Sequence, residues 1–414
     1  MVDGRDRVVV HLDAPDLGHE RAVGALVRER SAGTSVISFE YEPGWIAVPA
    51  SFPLDPSLPL YEGEQYMPTL PGIFADSAPD RWGRLLLERR EALVARREER
   101  DRRRLDDWDF LVGVNDWTRM GALRLRRASD GTFVDDEPLA VPPNTRLREL
   151  EHWARELEQG LPTDLGEADH WIGMLIAPGS SLGGARPKAS FLDEDGTLWI
   201  AKFPSREDRH DVGGWEYVVS LLAADAGIEV PETRMLRLGS TYRTFCAKRF
   251  DRRGDARRLY ASAMTLTGRH DHEEASYLDV AQAIVNLGDP AAIEEDLAQL
   301  FRRVVFNVLT GNRDDHLRNH GFLRTEGGWR LAPAFDVNPS VQKQEHSLAL
   351  DGSIRQPDLD LVRGTRALYR LSASRADRIV DEVDAAVSRW KGVARGAGLP
   401  GEEVERLAGV FLSA

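Results

Sequence analysis

Short apolar runs broken by turn residues open the chain: RVVVHLD from Arg7, GALVRE from Gly24 and SVISFEYEPGWIAV from Ser35. Over residues 6–50 this alternation predicts antiparallel strands in a small β-rich unit. The proline-rich stretch SFPLDPSLPLYEGEQYMPTLPG, residues 51–72, suits neither helix nor sheet and reads as ordered coil. From Pro79 to Arg104 the spacing of Trp82, Leu85, Leu86, Leu93 and Val94 predicts a long helix. Its charged part, LERREALVARREERDRRR, is either a basic docking surface or a solvated face laced with Glu–Arg pairs.

The run DDEPLAVPPNTR, residues 135–146, marks a boundary, and a helix follows from Arg146 to Gln159. Two strands, Ala189–Leu192 and Leu198–Phe203, flank a turn at Asp195-Gly196. A helix over Trp215–Ala226 stops at Gly227, with Pro231 beyond it. Thr244–Phe250 reads as a buried strand, and Tyr277–Leu287 and Ala291–Thr310 as helices. From Asp358 onward the pattern is helical, with a break at ARGAGLPG. No internal repeat is visible.

With 414 residues, the chain has room for two or three domains, and 42% hydrophobic and 29% charged residues suit an ordinary globular protein. One cysteine, Cys246, excludes an intramolecular disulfide framework. The His pairs 270/272 and 316/320 lack third and fourth metal ligands. MVDGRDRVVVHL carries no signal-peptide core, and no stretch approaches the roughly 20 apolar residues of a membrane span. A cytoplasmic protein without membrane contact is expected. The net charge of −14 argues against extensive direct contact with nucleic acid. It suits a basic partner, a partner that itself holds DNA, or plain solubility.

Four segments carry candidate chemistry. In SSLGGARPKAS, residues 180–190, Gly183 and Gly184 allow a tight turn that presents N–H groups to an anion, and Lys188 adds a point charge. A plain turn before a strand is the alternative. In WIAKFP, Lys202 interrupts an apolar strand, either to meet phosphates or to snorkel to water. Glu216, fourteen residues on, either orients that lysine or complements a helix dipole.

The loop GNRDDHLRNH, residues 311–320, sets Asp314 and Asn319 at the D-x-x-x-x-N spacing of a phosphotransferase loop. Asp314 would accept the proton of an attacking hydroxyl, and Asn319 would offer an oxygen to Mg²⁺. Asp315 would hold the loop backbone, while His316 would line a nucleotide pocket or brace the loop. A polar cap after a long helix is the bland alternative. In WRLAPAFDVNPS an apolar strand ends at Phe335-Asp336, and a carboxylate so placed needs a partner such as a divalent metal. The tripeptide is not D-F-G, so a conventional eukaryotic protein kinase is not indicated.

Together these segments resemble the HipA-like serine/threonine kinases, the toxin subunits of bacterial type II toxin–antitoxin pairs. GNRDDHLRNHGFL with LAPAFDVNPS carries the likeness; SLGGARPKAS, AKRFDR and the β-rich front unit agree in order, so nearly the whole chain is covered. The resemblance implies an α+β, bilobed, protein-kinase-like fold. Residues 1–140 would form the N-terminal unit, and 141–414 a kinase domain whose nucleotide lobe runs to about 250 and whose remainder is helical.

It also implies roles for individual residues. Asp314 resembles the proton acceptor, and Asn319 and Asp336 the metal ligands. ATP contacts fall to Lys202, to Gly183, Gly184, Ala185, Arg186, Pro187 and Lys188, and to Lys248, Arg249 and Phe250. His316, Leu317, Arg318, Asn319, Phe335 and Asp336 complete that set. Lys248 is a departure, since family members often carry Glu there. Ser181 matches a serine that relatives phosphorylate in themselves to switch off, with Ser180 adjacent. The implied cofactors are ATP and Mg²⁺, and the implied partner is a small helix-turn-helix antitoxin, through which alone DNA is met. Aminoacyl-tRNA synthetases are the implied protein substrates. Rival readings are an inert binding or repressor component and a small-molecule or lipid kinase.

Overall fold

A computed structural model describes residues 5–31, 34–136, 141–160, 165–176 and 186–412. The chain divides into two compact units. One takes in residues up to Ala201 together with Asp251–Ala261; the other takes in Lys202–Phe250 and Ser262 onward.

The first unit is built on a five-stranded antiparallel sheet of order β4-β3-β2-β1-β5: β1 Arg5–Ala14, β2 His19–Ser31, β3 Thr34–Tyr41, β4 Gln65–Met67 and β5 Leu123–Arg127. Period-two alternation sends Val8, Val10, Leu12 and Ala14 of β1 inward. Gly24 in β2 is required by packing, because a Cβ there would come within 2.3 Å of the Phe39 ring. The proline-rich segment, expected to be coil throughout, instead supplies β4, which pairs Ile37 with Met67 and Phe39 with Gln65. The coil before it is fastened by Tyr41, whose hydroxyl donates to Leu58 O (2.8 Å) and accepts from Leu54 N (2.9 Å).

The long helix spans Arg81–Arg97, capped by Asp80, and ends seven residues before the predicted Arg104. Glu99 turns with φ +50°, and Arg100 and Arg103 fold back onto buried Glu91 at 2.6 and 3.3 Å. Glu88–Arg102 and Arg84–Asp107 pairs add to this lacing, so the stretch is the Glu–Arg face rather than a bare basic surface. A helix over Leu165–Ile176 was not foreseen. Strands Lys188–Leu192 and Leu198–Lys202 flank the expected Asp195-Gly196 turn.

In the second unit a helix runs Val212–Asp225, starting three residues before the predicted Trp215. The glycines there are packing devices, not a break: a Cβ on Gly213 would meet Arg243 O at 2.2 Å, and Asp211 caps Gly214 N at 3.0 Å. Strand Thr244–Lys248 is shorter than predicted and pairs antiparallel with an unforeseen strand, Thr233–Leu236. Helix Tyr277–Leu287 begins with a capping box from Ser276 and Asp279. Helix Ile293–Thr310 starts two residues late because the Asp289 carboxylate holds Ala291 N at 3.1 Å. It stops at Gly311, whose φ of +66° is left-handed.

The hairpin Gly321–Arg324/Trp329–Leu331 follows. Its second strand ends at Leu331, not at Phe335-Asp336. Pro333 has no N–H to continue the ladder, and Ala334 N bonds instead to Glu229 O (2.7 Å). The C-terminal region is helical over Leu359–Thr365, Ala373–Val387, Trp390–Gly396 and Gly401–Arg406, with Trp390 stacked on Phe411 at 4.3 Å. No helix among the described residues is long and apolar enough to cross a membrane.

Candidate phosphotransfer site

The left-handed turn at Gly311 delivers the chain into the loop 311–320, whose two adjacent aspartates part company at once. Asp315 points inward and is buried. Its Oδ2 accepts from Asn307 Nδ2 (2.7 Å) and lies 2.8 Å from His320 Nε2. Asn307 reaches the Tyr277 hydroxyl at 3.2 Å and accepts from Asn312 Nδ2 at 3.0 Å, and Tyr277 meets His320 edge to face. Burial pushes the Asp315 carboxyl up, but the charge and hydrogen bond of His320 outweigh it and hold the group below its ordinary range. Asp315 therefore anchors the loop through side chains rather than through the loop's own backbone.

Asp314 points the other way, with its side chain 61% exposed. Lys343 Nζ contacts its Oδ1 and lies 3.2 Å from Ser347 Oγ. The segment carrying Lys343 is fastened to the loop: Ser340 N donates to Gly311 O (2.8 Å), Arg313 to Lys343 O (2.8 Å) and Ser347 N to Arg313 O (3.0 Å).

Asn319 is buried, and its Nδ2 donates to Asp314 O at 3.3 Å. Its Oδ1 is buried with no hydrogen-bond partner among the described residues. Asp336 sits in a left-handed conformation, φ +58°, and its Oδ1 meets Lys202 Nζ at 2.7 Å. The same ammonium contacts the Glu216 carboxylate. Lys202 is thus buried between two carboxylates and does not snorkel. Burial favours its neutral form, but Asp336 and then Glu216 outweigh that and raise it above the ordinary lysine value. One ammonium serves both acids, so burial and the Asp336 charge raise Glu216. Glu216 acts on the lysine and not merely on the helix dipole.

Phe250 and Phe335 face each other with centroids 5.5 Å apart. Arg249 is buried, whereas Lys248 is half-buried, 3.9 Å from Glu232. Leu317 is buried, His316 Nδ1 is buried without a hydrogen-bond partner among the described residues, and Arg318 pairs with Asp271 at 2.8 Å. In the first unit Lys188 is buried and its ammonium meets Asp80 at 2.5 Å; Arg186 and Pro187 precede it. Gly183, Gly184, Ala185, Ser181 and Ser180 lie outside the described residues.

No group of three or more His, Cys, Asp or Glu side chains able to hold a metal occurs among the described residues. The donor set of Asn319 and Asp336 nevertheless fits a hard cation. An amide oxygen held in place but unpartnered, plus a carboxylate, leaves the remaining positions to phosphate and water. Sequence reasoning missed Lys343, Asn307 and Tyr277, and treated His320 only as half of a failed metal pair.

Residues 180–390 match the HipA-like C-terminal domain, and residues 17–126 match the HipA N-terminal domain. The chain belongs to the HipA family. Serine/threonine-protein kinase toxin HipA of Shewanella oneidensis is 26% identical over 267 residues, 55% of this chain and 59% of that protein. A putative kinase, Y4dM, of Sinorhizobium fredii is 25% identical over 219 residues, 48% of this chain and 52% of that one. The matched stretches thus span between half and three-fifths of the length of these two relatives. The solved Shewanella oneidensis HipA, in complex with HipB and operator DNA, superimposes with a TM-score of 0.64 at 17% identity, covering 97% of this chain and 94% of that one. The HipA fold, mixed α+β, is therefore the fold of this chain.

Proposed function

We propose that this HipA-family chain is an ATP- and Mg²⁺-dependent serine/threonine protein kinase, the toxin of a toxin–antitoxin pair. The observation that carries the reading is the buried Lys202 ammonium held between Glu216 and Asp336. A lysine fixed by a helix glutamate is how kinases orient the group that meets the α- and β-phosphates. Asp314 is open on the surface to take the proton of a serine or threonine hydroxyl, and Asp315 keeps its loop rigid beneath it. Asn319 Oδ1 and the Asp336 carboxylate are the atoms that would hold Mg²⁺, which when bound neutralises charge between the β- and γ-phosphates. Phe250 and Phe335 offer apolar surface for a base.

Ser181 is the proposed site of inactivating self-phosphorylation, because a phosphate adds about −1.5 to −2 charges beside those of ATP. The partner proposed is a small helix-turn-helix antitoxin. It would supply the DNA contact that a chain of charge −14 does not favour, in line with the relative solved with HipB and operator DNA. An aminoacyl-tRNA synthetase is the proposed protein substrate, and the cytoplasm the proposed location.

Labelled ATP incubated with the wild type and with Asp314→Ala tests the activity. Incorporation into the protein itself or into a lysate by the wild type alone is expected; none by the wild type would favour an inert binding component. Mass spectrometry should find the self-phosphate on Ser181, and Ser181→Ala should abolish self-inactivation.

A further inference from the structure

We propose that Lys343 is a catalytic residue, the cation that meets the transferring phosphoryl group between Asp314 and the nucleotide. This rests on the phosphotransferase reading above and adds to it a residue outside every segment that carries the family likeness.

The ammonium of Lys343 contacts the Asp314 carboxylate, the atom group assigned to receive the hydroxyl proton. Its position is built into the fold. Backbone and side-chain hydrogen bonds from Ser340, Arg313 and Ser347 fix residues 340–347 against Gly311 and Arg313, and Ser347 Oγ supports Nζ at 3.2 Å. The Lys343 side chain is 48% exposed and that of Asp314 61% exposed. An ion pair this exposed holds weakly, so an arriving hydroxyl displaces Lys343 from Asp314 at little cost.

Because Lys343 Nζ contacts the carboxylate that would bind the acceptor hydroxyl, the displaced ammonium would stay beside that hydroxyl, where the phosphoryl group would arrive. The acceptor oxygen forms a bond to the γ-phosphorus, the bond from that phosphorus to the β–γ bridging oxygen breaks, and ADP leaves. The hydroxyl proton passes to Asp314. Charge builds on the equatorial oxygens during that exchange, and a compact ammonium beside them stabilises it.

Lysine usage agrees with a special task. The chain has five lysines, at 188, 202, 248, 343 and 391, among 54 basic residues, so arginine supplies nearly all of its ordinary surface charge. Lys202 and Lys188 are each occupied by buried carboxylates. At position 343 a flexible point charge stands where a planar, forked arginine would keep hold of the carboxylate.

The test uses the full chain as wild type, Lys343→Ala, Lys343→Met and Lys343→Arg, each checked for an unchanged melting temperature. Calorimetry with Mg²⁺ compares ATP with ADP, and turnover is read with labelled ATP. Lys343→Ala and Lys343→Met should lose several-fold in ATP affinity and nothing in ADP affinity. Their kcat should fall on the order of 10²-fold, the usual effect of removing one charge-stabilising group. The KM for the acceptor should stay put, Lys343→Arg should recover part of the loss, and added ethylammonium should restore turnover to Lys343→Ala alone. Wild-type turnover beside unaffected Lys343→Ala and Lys343→Met, with ATP-to-ADP preference intact, overturns the assignment of Lys343 by itself. A wild type that binds neither nucleotide overturns the phosphotransferase reading and the Lys343 assignment together.

Discussion

The side-chain nitrogen of Asn319 holds the carbonyl of Asp314 at 3.3 Å, and that bond aims the amide oxygen of Asn319 into buried space without a partner. Removing the amide should therefore cost metal linkage more than fold. In the wild type Mg²⁺ should raise ATP affinity; in Asn319→Ala that gain should disappear. Stability should drop by only about 1 kcal/mol for the lost hydrogen bond. Paired calorimetric titrations with and without Mg²⁺ check the first, and urea denaturation the second.

Asp314→Asn should lower turnover by roughly 10²–10⁴-fold, the usual weight of a positioned acid–base group. Because this carboxylate is largely exposed and its contact is with a half-exposed lysine side chain, the melting temperature should hardly move. Near-wild-type turnover in a well-folded variant would remove Asp314 from the reaction.

Lys202→Met should behave in the opposite way. It leaves Glu216 and Asp336 facing one another without their shared cation, a broken buried pair of the kind that costs about 3–5 kcal/mol. The denaturation midpoint should fall sharply and nucleotide binding should vanish. A variant as stable as the wild type would show that the two acids find neutralisation elsewhere.

His346 predicts an acid-sensitive stability. Burial and then nearby Arg313 push its imidazole down from 6.5 to about 4, against an opposing pull from Asp315. Above pH 6.5 the ring is neutral folded and unfolded, so it contributes no slope. Between 6.5 and 4 the unfolded chain binds a proton that the folded chain refuses, and stability falls as pH falls. From pH 7 to pH 5 the loss should be about 2 kcal/mol. His346→Leu should lack this part of the slope, as compared in urea melts at the two pH values.

Much of the site was legible because its chemistry is local in sequence. Asp314 and Asn319 lie on one loop, and the strand bearing Lys202 and the helix bearing Glu216 are fourteen residues apart with clear periodicity. What escaped was nonlocal. Asn307, Tyr277 and His320 converge on Asp315 from two helices and a loop, and each alone looks like an ordinary polar residue. Lys343 lies in the polar run QKQEH, which has no period at all. The fold errors have the same origin. Gly213 and Gly214 fall before the predicted start at Trp215 yet are helical, kept small by the Arg243 backbone and by the Leu399 and Asp211 side chains respectively, and Pro333 ends a strand that its apolar neighbours would extend. Gly166 and Gly173 weaken the helical signal over Leu165–Ile176.

The burial of Lys188 and Lys202 also decides how the folded protein meets acylating reagents. Of its side-chain amines, those at 248, 343 and 391 alone stand open to an N-hydroxysuccinimide ester, with 40%, 48% and 44% of each side chain exposed. Labelling followed by peptide mapping therefore gives a sparse readout. Protection at one of those three amines on adding ATP, with the other two unchanged, marks where the nucleotide settles.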